Sequence, residues 1–530
     1  MARDFQAPGR SAVYATRGMV ACSHPLAAAA ALAVLQGGGN AVDAAITASA
    51  VLTLAEPHMT SAGGDCFAIV ALPDGSRYGL NGSGRSAAAL TPDYVRAQGL
   101  SEIHEDHGTS VTAPGAVAAW SQLLERFGSI GLDRALAPAI DLAESGVPVA
   151  PRVARDWAGE VGRLVRDPGG RRHYLTAAGD APAVGDVVRF PALARTYRRI
   201  AEAGRDGFYT GAVAEDICAA VARRGGCLTP DDLAATEATW VDPMLSPYRG
   251  LSVGELPPNG QGITALILIG ILERLGLAGL DPLGAQRLHL EIEAARLAYA
   301  CRDRFVSDPA TADLPAAALI EPAFLDRLAA RIDPRRRMVE TGPIDPRETT
   351  DTVYLCIVDA DGMAVSFINS VFDYFGSAIV APDSGVVLQN RGSGFVLTPG
   401  HPNEVGPRKR PLHTLIPGLL VEDGLTRGVF GVMGGQYQAC GHAHLVSNLI
   451  DYGMDPQAAI DLPRAFFEGD ATVLETGVPE ATAAELVALG HQVRRADSPL
   501  GGGQAILIDR RRGVLIAGSD PRKDGCAIGL

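Results

Sequence analysis

The stretch Asp351-Thr352-Val353-Tyr354-Leu355-Cys356-Ile357-Val358-Asp359 constrains the fold of this chain more than any other segment. β-Branched and aromatic residues crowd positions 352–358, the run Asp359-Ala360-Asp361-Gly362 is turn-forming, and a second apolar run follows at 364–368. Together they predict a buried antiparallel hairpin. Upstream, residues 333–351 carry three prolines, a glycine, three consecutive arginines and two adjacent threonines, which is loop composition. A threonine opening an apolar strand directly after such a loop is how a self-cutting chain presents a nucleophile. A cut before it leaves a free α-amine, of reference pKa roughly 7.7 to 8.0, beside its own hydroxyl, so no separate histidine base is needed. Taken by itself, Thr352 fits an ordinary strand threonine better.

The remaining composition narrows the partners. The chain has 530 residues, 47% of them hydrophobic and 20% charged, with 62 glycines and 35 prolines, so a large core with many tight turns is expected and disorder is not. A formal net charge of -14 opposes binding to nucleic acid or an anionic membrane, and Arg335-Arg336-Arg337 reads as a solvated part of the loop. Met1-Ala2-Arg3-Asp4-Phe5 lacks a basic lead followed by an apolar run, so no signal peptide is expected and the cytoplasm is the default. The most apolar stretches, near 26–35 and 44–54, are broken by glycine or polar residues and fall short of a membrane span. Eight scattered cysteines read as buried thiols. The histidine pairs His104 with His107 and His442 with His444 have no patterned set of further ligands, so no metal is expected. Gly37-Gly38-Gly39 lacks the Gly-Lys-Ser/Thr continuation of a phosphate loop, and no cofactor is expected.

Helices are expected at 26–36 with Ser23 as cap, at 40–54, 115–127, 132–144, 193–201, 262–275, 284–304 and 322–332, and then at 442–449, 456–460 and 482–489. Besides the hairpin, strands are expected at 66–72, 77–80, 378–381, 385–389, 504–508 and 514–517. No repeat or long linker divides the chain, which predicts one two-part core.

An ordered set of short motifs accompanies Thr352. It includes Gly18-Met19-Val20-Ala21, Gly37-Gly38-Gly39-Asn40-Ala41-Val42-Asp43-Ala44-Ala45, Gly63-Gly64, Pro114-Gly115 and Pro257-Pro258. Further along come Glu293-Ala294-Ala295-Arg296-Leu297-Ala298-Tyr299-Ala300, Arg410-Pro411-Leu412, Met433-Gly434-Gly435, Asp451-Tyr452-Gly453-Met454, Pro463-Arg464 and Gly518-Ser519-Asp520-Pro521-Arg522. By these the chain resembles the gamma-glutamyltranspeptidase family of N-terminal-nucleophile hydrolases over nearly its whole length. The resemblance implies an α+β fold, a four-layer α-β-β-α sandwich, made as a precursor. Segments 1–351 and 352–530 then share one core after cleavage between Asp351 and Thr352, and a dimer of such heterodimers is left open.

The resemblance also implies roles. Thr352 is the nucleophile, Ser370 the hydroxyl beside it, and Gly434-Gly435 the oxyanion donors. Arg85 is expected to clamp a substrate carboxylate, with Asn390, Arg391, His413 and Thr414 lining the pocket. His413-Thr414 stand where the family has two serines, Phe372 where it has asparagine, and Arg391 where it has a neutral polar residue. Gly394 stands where the gamma-glutamyl enzymes place the acid that binds an α-ammonium. These departures resemble the branch with oxamate amidohydrolase and the acylases, and imply a small carboxylate-bearing amide as substrate, with hydrolysis favoured over transfer. The alternatives are a gamma-glutamyltransferase or glutathione hydrolase, and a scaffold of this family that binds without chemistry.

Overall fold

The computed structural model describes residues 9–339 and 352–530, so the expected cleavage residue Asp351 lies outside the described residues. Two seven-stranded sheets, each antiparallel throughout, form its centre. Across the first run Cys526–Gly529, Met19–Cys22, Val353–Val358, Ala364–Ser370, Asp65–Ala71, Arg77–Gly82 and Thr239–Val241. Across the second run Val13–Ala15, Val514–Ser519, Gly502–Asp509, Leu425–Met433, Gly418–Glu422, Leu251–Glu255 and Met244–Tyr248. Helices Pro25–Gln36 and Ala41–Ala55 cover the outer face of the first sheet, and Gly262–Leu275 and Gln438–Ile450 that of the second. The sheets face each other, which gives the expected four-layer α-β-β-α sandwich.

Local chemistry explains several elements. Asn40 accepts from the backbone N–H of Val42 and Asp43 while Asp43 accepts from Asn40, so the glycine run ends in a capping box that starts Ala41–Ala55. Every residue of that helix is buried, as its alanine-rich sequence permits. The hairpin closes as expected: Val353–Val358 pairs with Ala364–Ser370 in the register Val353↔Asn369 to Val358↔Ala364. Its turn is held by Asp359, whose Oδ1 accepts from Asp361 and Met363 and whose Oδ2 accepts from Ala41 at the start of the covering helix. Helix Gly262–Leu275 has the bounds expected from sequence.

Other expectations are corrected. The cap of Pro25–Gln36 is His24, whose Nδ1 accepts from the Leu26 N–H at 3.2 Å, because Ser23 is drawn away to Glu56. Residues 378–381 and 385–389 form no strands; a single bridge, Val380↔Val387, joins them, and the left-handed Ala378 and Gly385 interrupt the pleat. Strands Leu251–Glu255, Gly418–Glu422 and Leu425–Met433 were not expected. The last contains Gly428 and Gly431, which erase the alternation that marks a strand, yet it lies at the middle of its sheet. Gly431 is required there because a Cβ would stand 2.4 Å from the Tyr354 ring of the facing sheet. Tyr354 in turn bonds Ser366 Oγ at 2.8 Å, and Ser366 reaches the Phe430 carbonyl at 3.3 Å.

The close approach of the sheets is therefore set by one glycine and one tyrosine. Gly431→Val should lower stability by about 1–3 kcal/mol through overpacking, read as a lower urea midpoint with unchanged slope. An unchanged midpoint would mean that the sheets are free to move apart.

Candidate active site

Thr352 is buried at the head of its strand, and the hairpin register carries Ser370 to the same end of the neighbouring strand. Their hydroxyl oxygens are 3.1 Å apart. Ser370 Oγ accepts from the Phe372 N–H at 2.8 Å and lies 3.4 Å from Arg391 Nη2. With both lone pairs engaged, its own hydrogen is directed to Thr352 Oγ1. The Phe372 backbone has φ of 86°, an unfavourable region for a bulky residue, and this turns its N–H back onto Ser370. The Phe372 ring lies 4.0 Å from the Arg391 guanidinium, a cation-π contact.

Arg391 is fully buried. Its Nη1 donates to Thr414 Oγ1 at 2.7 Å, and its Nε has no partner among the described residues. Burial pushes this guanidinium down to about 10, against the opposing pull of Asp65 and Asp373, so it remains charged at neutral pH. Asp65 is also buried. Its Oδ1 accepts from the N–H groups of Gly84 and Gly115 and from Gln389 Nε2, at 3.0, 3.1 and 3.0 Å. Its Oδ2 lies 3.0 Å from His413 Nε2. Since His413 Nδ1 accepts from the Leu415 N–H at 3.2 Å, the ring proton is on Nε2 and the imidazole is neutral. Burial, then Arg391 and Arg410, holds the His413 pKa well below the ordinary value, while burial raises Asp65 to about 6.

Gly434 and Gly435 follow strand Leu425–Met433 and have φ of 125° and 50°, which glycine alone adopts readily. A Cβ on Gly434 would stand 2.7 Å from the Cα of Gly501. The Gln261 side-chain amide joins this turn to the rest of the cluster, donating to the Gly435 carbonyl at 3.1 Å and to the Thr414 carbonyl at 3.0 Å. One continuous hydrogen-bonded path thus runs from Gly435 through Gln261, Thr414, Arg391 and Ser370 to Thr352. The turn leads into helix Gln438–Ile450, whose positive end adds to the field at the glycines.

Two expected binding residues are bonded to acidic side chains. Arg85 places its guanidinium on Asp308 Oδ2 at 2.9 Å and on the Arg408 carbonyl at 3.0 Å, with 40% of the side chain exposed. Asn390 donates through Nδ2 to Asp373 and accepts from the Asp373 N–H at 3.3 Å. Sequence reasoning missed Asp65, Gln261 and Asp373, although Asp65 directly follows Gly63-Gly64 and Asp373 directly follows Phe372. Asp373, raised to about 6 chiefly by burial, lines with Phe372, Ser393 and Phe395 a cavity of about 950 Å³ beside the cluster. At Gly394 a Cβ would meet the Leu412 carbonyl at 3.2 Å, so even a small side chain is tight there. Among the described residues no group of three or more His, Cys, Asp or Glu side chains is placed to hold a metal, and no helix is long and apolar enough to cross a membrane.

Two facing antiparallel sheets between helical layers, with a threonine at the head of an inner strand, define an N-terminal-nucleophile hydrolase. The profile of the family described as gamma-glutamyltranspeptidase matches residues 27–530, and the chain belongs to that family of enzymes. It is 35% identical over 528 residues to the glutathione hydrolase-like YwrD proenzyme of Bacillus subtilis (strain 168), covering 98% of this chain and 99% of that protein. It is likewise 35% identical over 528 residues to the oxamate amidohydrolase proenzyme of Klebsiella pneumoniae subsp. pneumoniae, covering 97% and 98%. The crystal structure of cephalosporin acylase from Bacillus halodurans superposes with a TM-score of 0.93 at 38% identity, covering 100% of this chain and 99% of that one.

If Ser370 orients the threonine hydroxyl, Ser370→Ala should slow precursor cleavage by about tenfold, the size of one net hydrogen bond of roughly 1–1.5 kcal/mol. Intact mass followed over time after expression measures it. A wild-type rate would remove Ser370 from the reaction centre.

Proposed function

We propose that the chain cuts itself between Asp351 and Thr352 and that Thr352 then hydrolyses a small carboxylate-bearing amide such as oxamate through an acyl-enzyme. The new α-amine takes the proton from Oγ1 as that oxygen attacks the amide carbon. Ser370 holds the hydroxyl in line, and the N–H groups of Gly434 and Gly435 receive the charge that develops on the carbonyl oxygen. The amine then returns the proton to the departing nitrogen, and water resolves the ester by the same steps.

The observation that carries the substrate class is Arg391. It is a buried cation separated from Thr352 Oγ1 by no more than two hydrogen bonds laid end to end. In oxamate the carboxylate is attached directly to the attacked carbon, so it falls within reach of that guanidinium, and the unpartnered Nε is available to it. Arg391 thus takes the role that the family resemblance assigns to Arg85, whose guanidinium is held by Asp308. A second reading, hydrolysis of a gamma-glutamyl amide, is favoured by Asp373, a carboxylate in the cavity wall that supplies an ammonium partner in place of Gly394.

Intact mass separates wild type into fragments 1–351 and 352–530 and leaves Thr352→Ala whole; the same fragments in the variant would refute the nucleophile. A competitive panel of oxamate, glutaryl amides, glutathione and gamma-glutamyl anilide decides the donor. Oxamate or another ammonium-free amide should lead, and Arg391→Gln should raise KM for it by about tenfold or more, the worth of a charge-assisted hydrogen bond. Preference for glutathione or the anilide over every ammonium-free amide would establish the second reading.

A further inference from the structure

His442 does no work in the mechanism above, yet it sits in a place where a strand is missing. Leu425–Met433 is flanked by Gly502–Asp509 on one side, and that pairing continues to Met433↔Gly502. On its other side Gly418–Glu422 begins only at Gly418↔Phe430. The three residues before Gly434 therefore lose their neighbour on that side. The imidazole of His442 occupies the gap: a Cβ on Gly418 would stand 3.1 Å from its Cε1, and its ring centroid lies 4.9 Å from that of Phe430. Its Nε2 accepts from the Val432 N–H at 3.1 Å, the amide that a longer Gly418–Glu422 strand would have satisfied.

The opposite nitrogen fixes the ring. Nε2 is an acceptor, so the imidazole proton is on Nδ1, which donates to Glu255 Oε1 at 2.6 Å. Glu255 ends strand Leu251–Glu255, which pairs with Gly418–Glu422, so the carboxylate is anchored in the same sheet. Both side chains are fully buried, and Glu255 Oε2 has no partner among the described residues. A buried acid and a buried imidazole are costly to keep unless they hold something in place. What they hold is the backbone two residues before Gly434.

We infer that the Glu255–His442 pair is a positioning device that replaces the absent strand at Val432 and so aims the Gly434 and Gly435 N–H groups at the reacting carbonyl. The inference rests on the oxyanion role proposed for those glycines. Because those donors meet charge that develops only in the transition state, kcat depends on His442, while KM, set by contacts to the substrate carboxylate, does not.

His442→Met keeps the volume and removes the acceptor for Val432. In the mature enzyme it should lower kcat by about tenfold or more with KM within twofold, part of the hundredfold or more that loss of an oxyanion donor costs. His442→Gln, whose amide accepts from Val432 and donates to Glu255, should recover kcat to within about threefold of wild type. If the methionine variant does not fold, His442→Asn, polar but too short to reach Val432, replaces it in the comparison with glutamine. Equal kcat in the glutamine and the methionine or asparagine variants would overturn the inference, as would a loss carried by KM. Gly434→Ala measured alongside separates the two levels: wild-type kcat there refutes the oxyanion role itself, whereas a loss there with wild-type kcat in the His442 variants refutes only the positioning role.

Discussion

A guanidinium with no exposure to water requires a counter-charge, and the arrangement of the proposed reaction centre follows from how Arg391 obtains one. Asp65 supplies it, but only by being buried itself, and each of its oxygens is then bonded to protein donors. Those donors come from distant parts of the chain: the backbone at Gly84 and Gly115, the Gln389 amide and the His413 ring. Satisfying one carboxylate thus fixes the loop carrying Arg391 and the segment carrying Thr414. Arg391, held by Thr414, then presents its other end to Ser370 and the Phe372 ring. A neutral His413 is part of this arrangement, since a third cation beside Arg391 and Arg410 is disfavoured by burial and repulsion alike.

The strand headed by Thr352 is placed with equal firmness. Val353–Val358 hydrogen-bonds to Met19–Cys22 on one side and to Ala364–Ser370 on the other, and the latter pairs onward with Asp65–Ala71. The last strand, Cys526–Gly529, also returns to Met19–Cys22. Strands from before and after position 352 are therefore interleaved in one sheet, and the proposed cut separates the chain covalently without separating its core. Separating the pieces would unpair Val353–Val358 from Met19–Cys22 and Ala364–Ser370 from Asp65–Ala71. The glycine turn that faces the strand belongs to the other sheet, and the contact of Gly431 with Tyr354 sets the spacing between them.

Sequence by itself determined the local devices. The Thr352 hairpin, its Asp359 turn, the capping box at Asn40 and the helix Gly262–Leu275 all depend on contacts within a few residues, and their signals are intact in the chain. The family motifs added the four-layer sandwich and the pairing of Thr352 with Ser370. Tertiary structure decided what those signals omit. Leu425–Met433 is a central strand although its glycines hide the alternation, because their absent side chains are what let the facing sheet approach. Arg391 rather than Arg85 comes to Ser370 because Asp308 captures the one and Asp65 compensates the other. Neither acid is near its arginine in sequence, and a buried charge finds its partner only when the segments that carry both have already packed together.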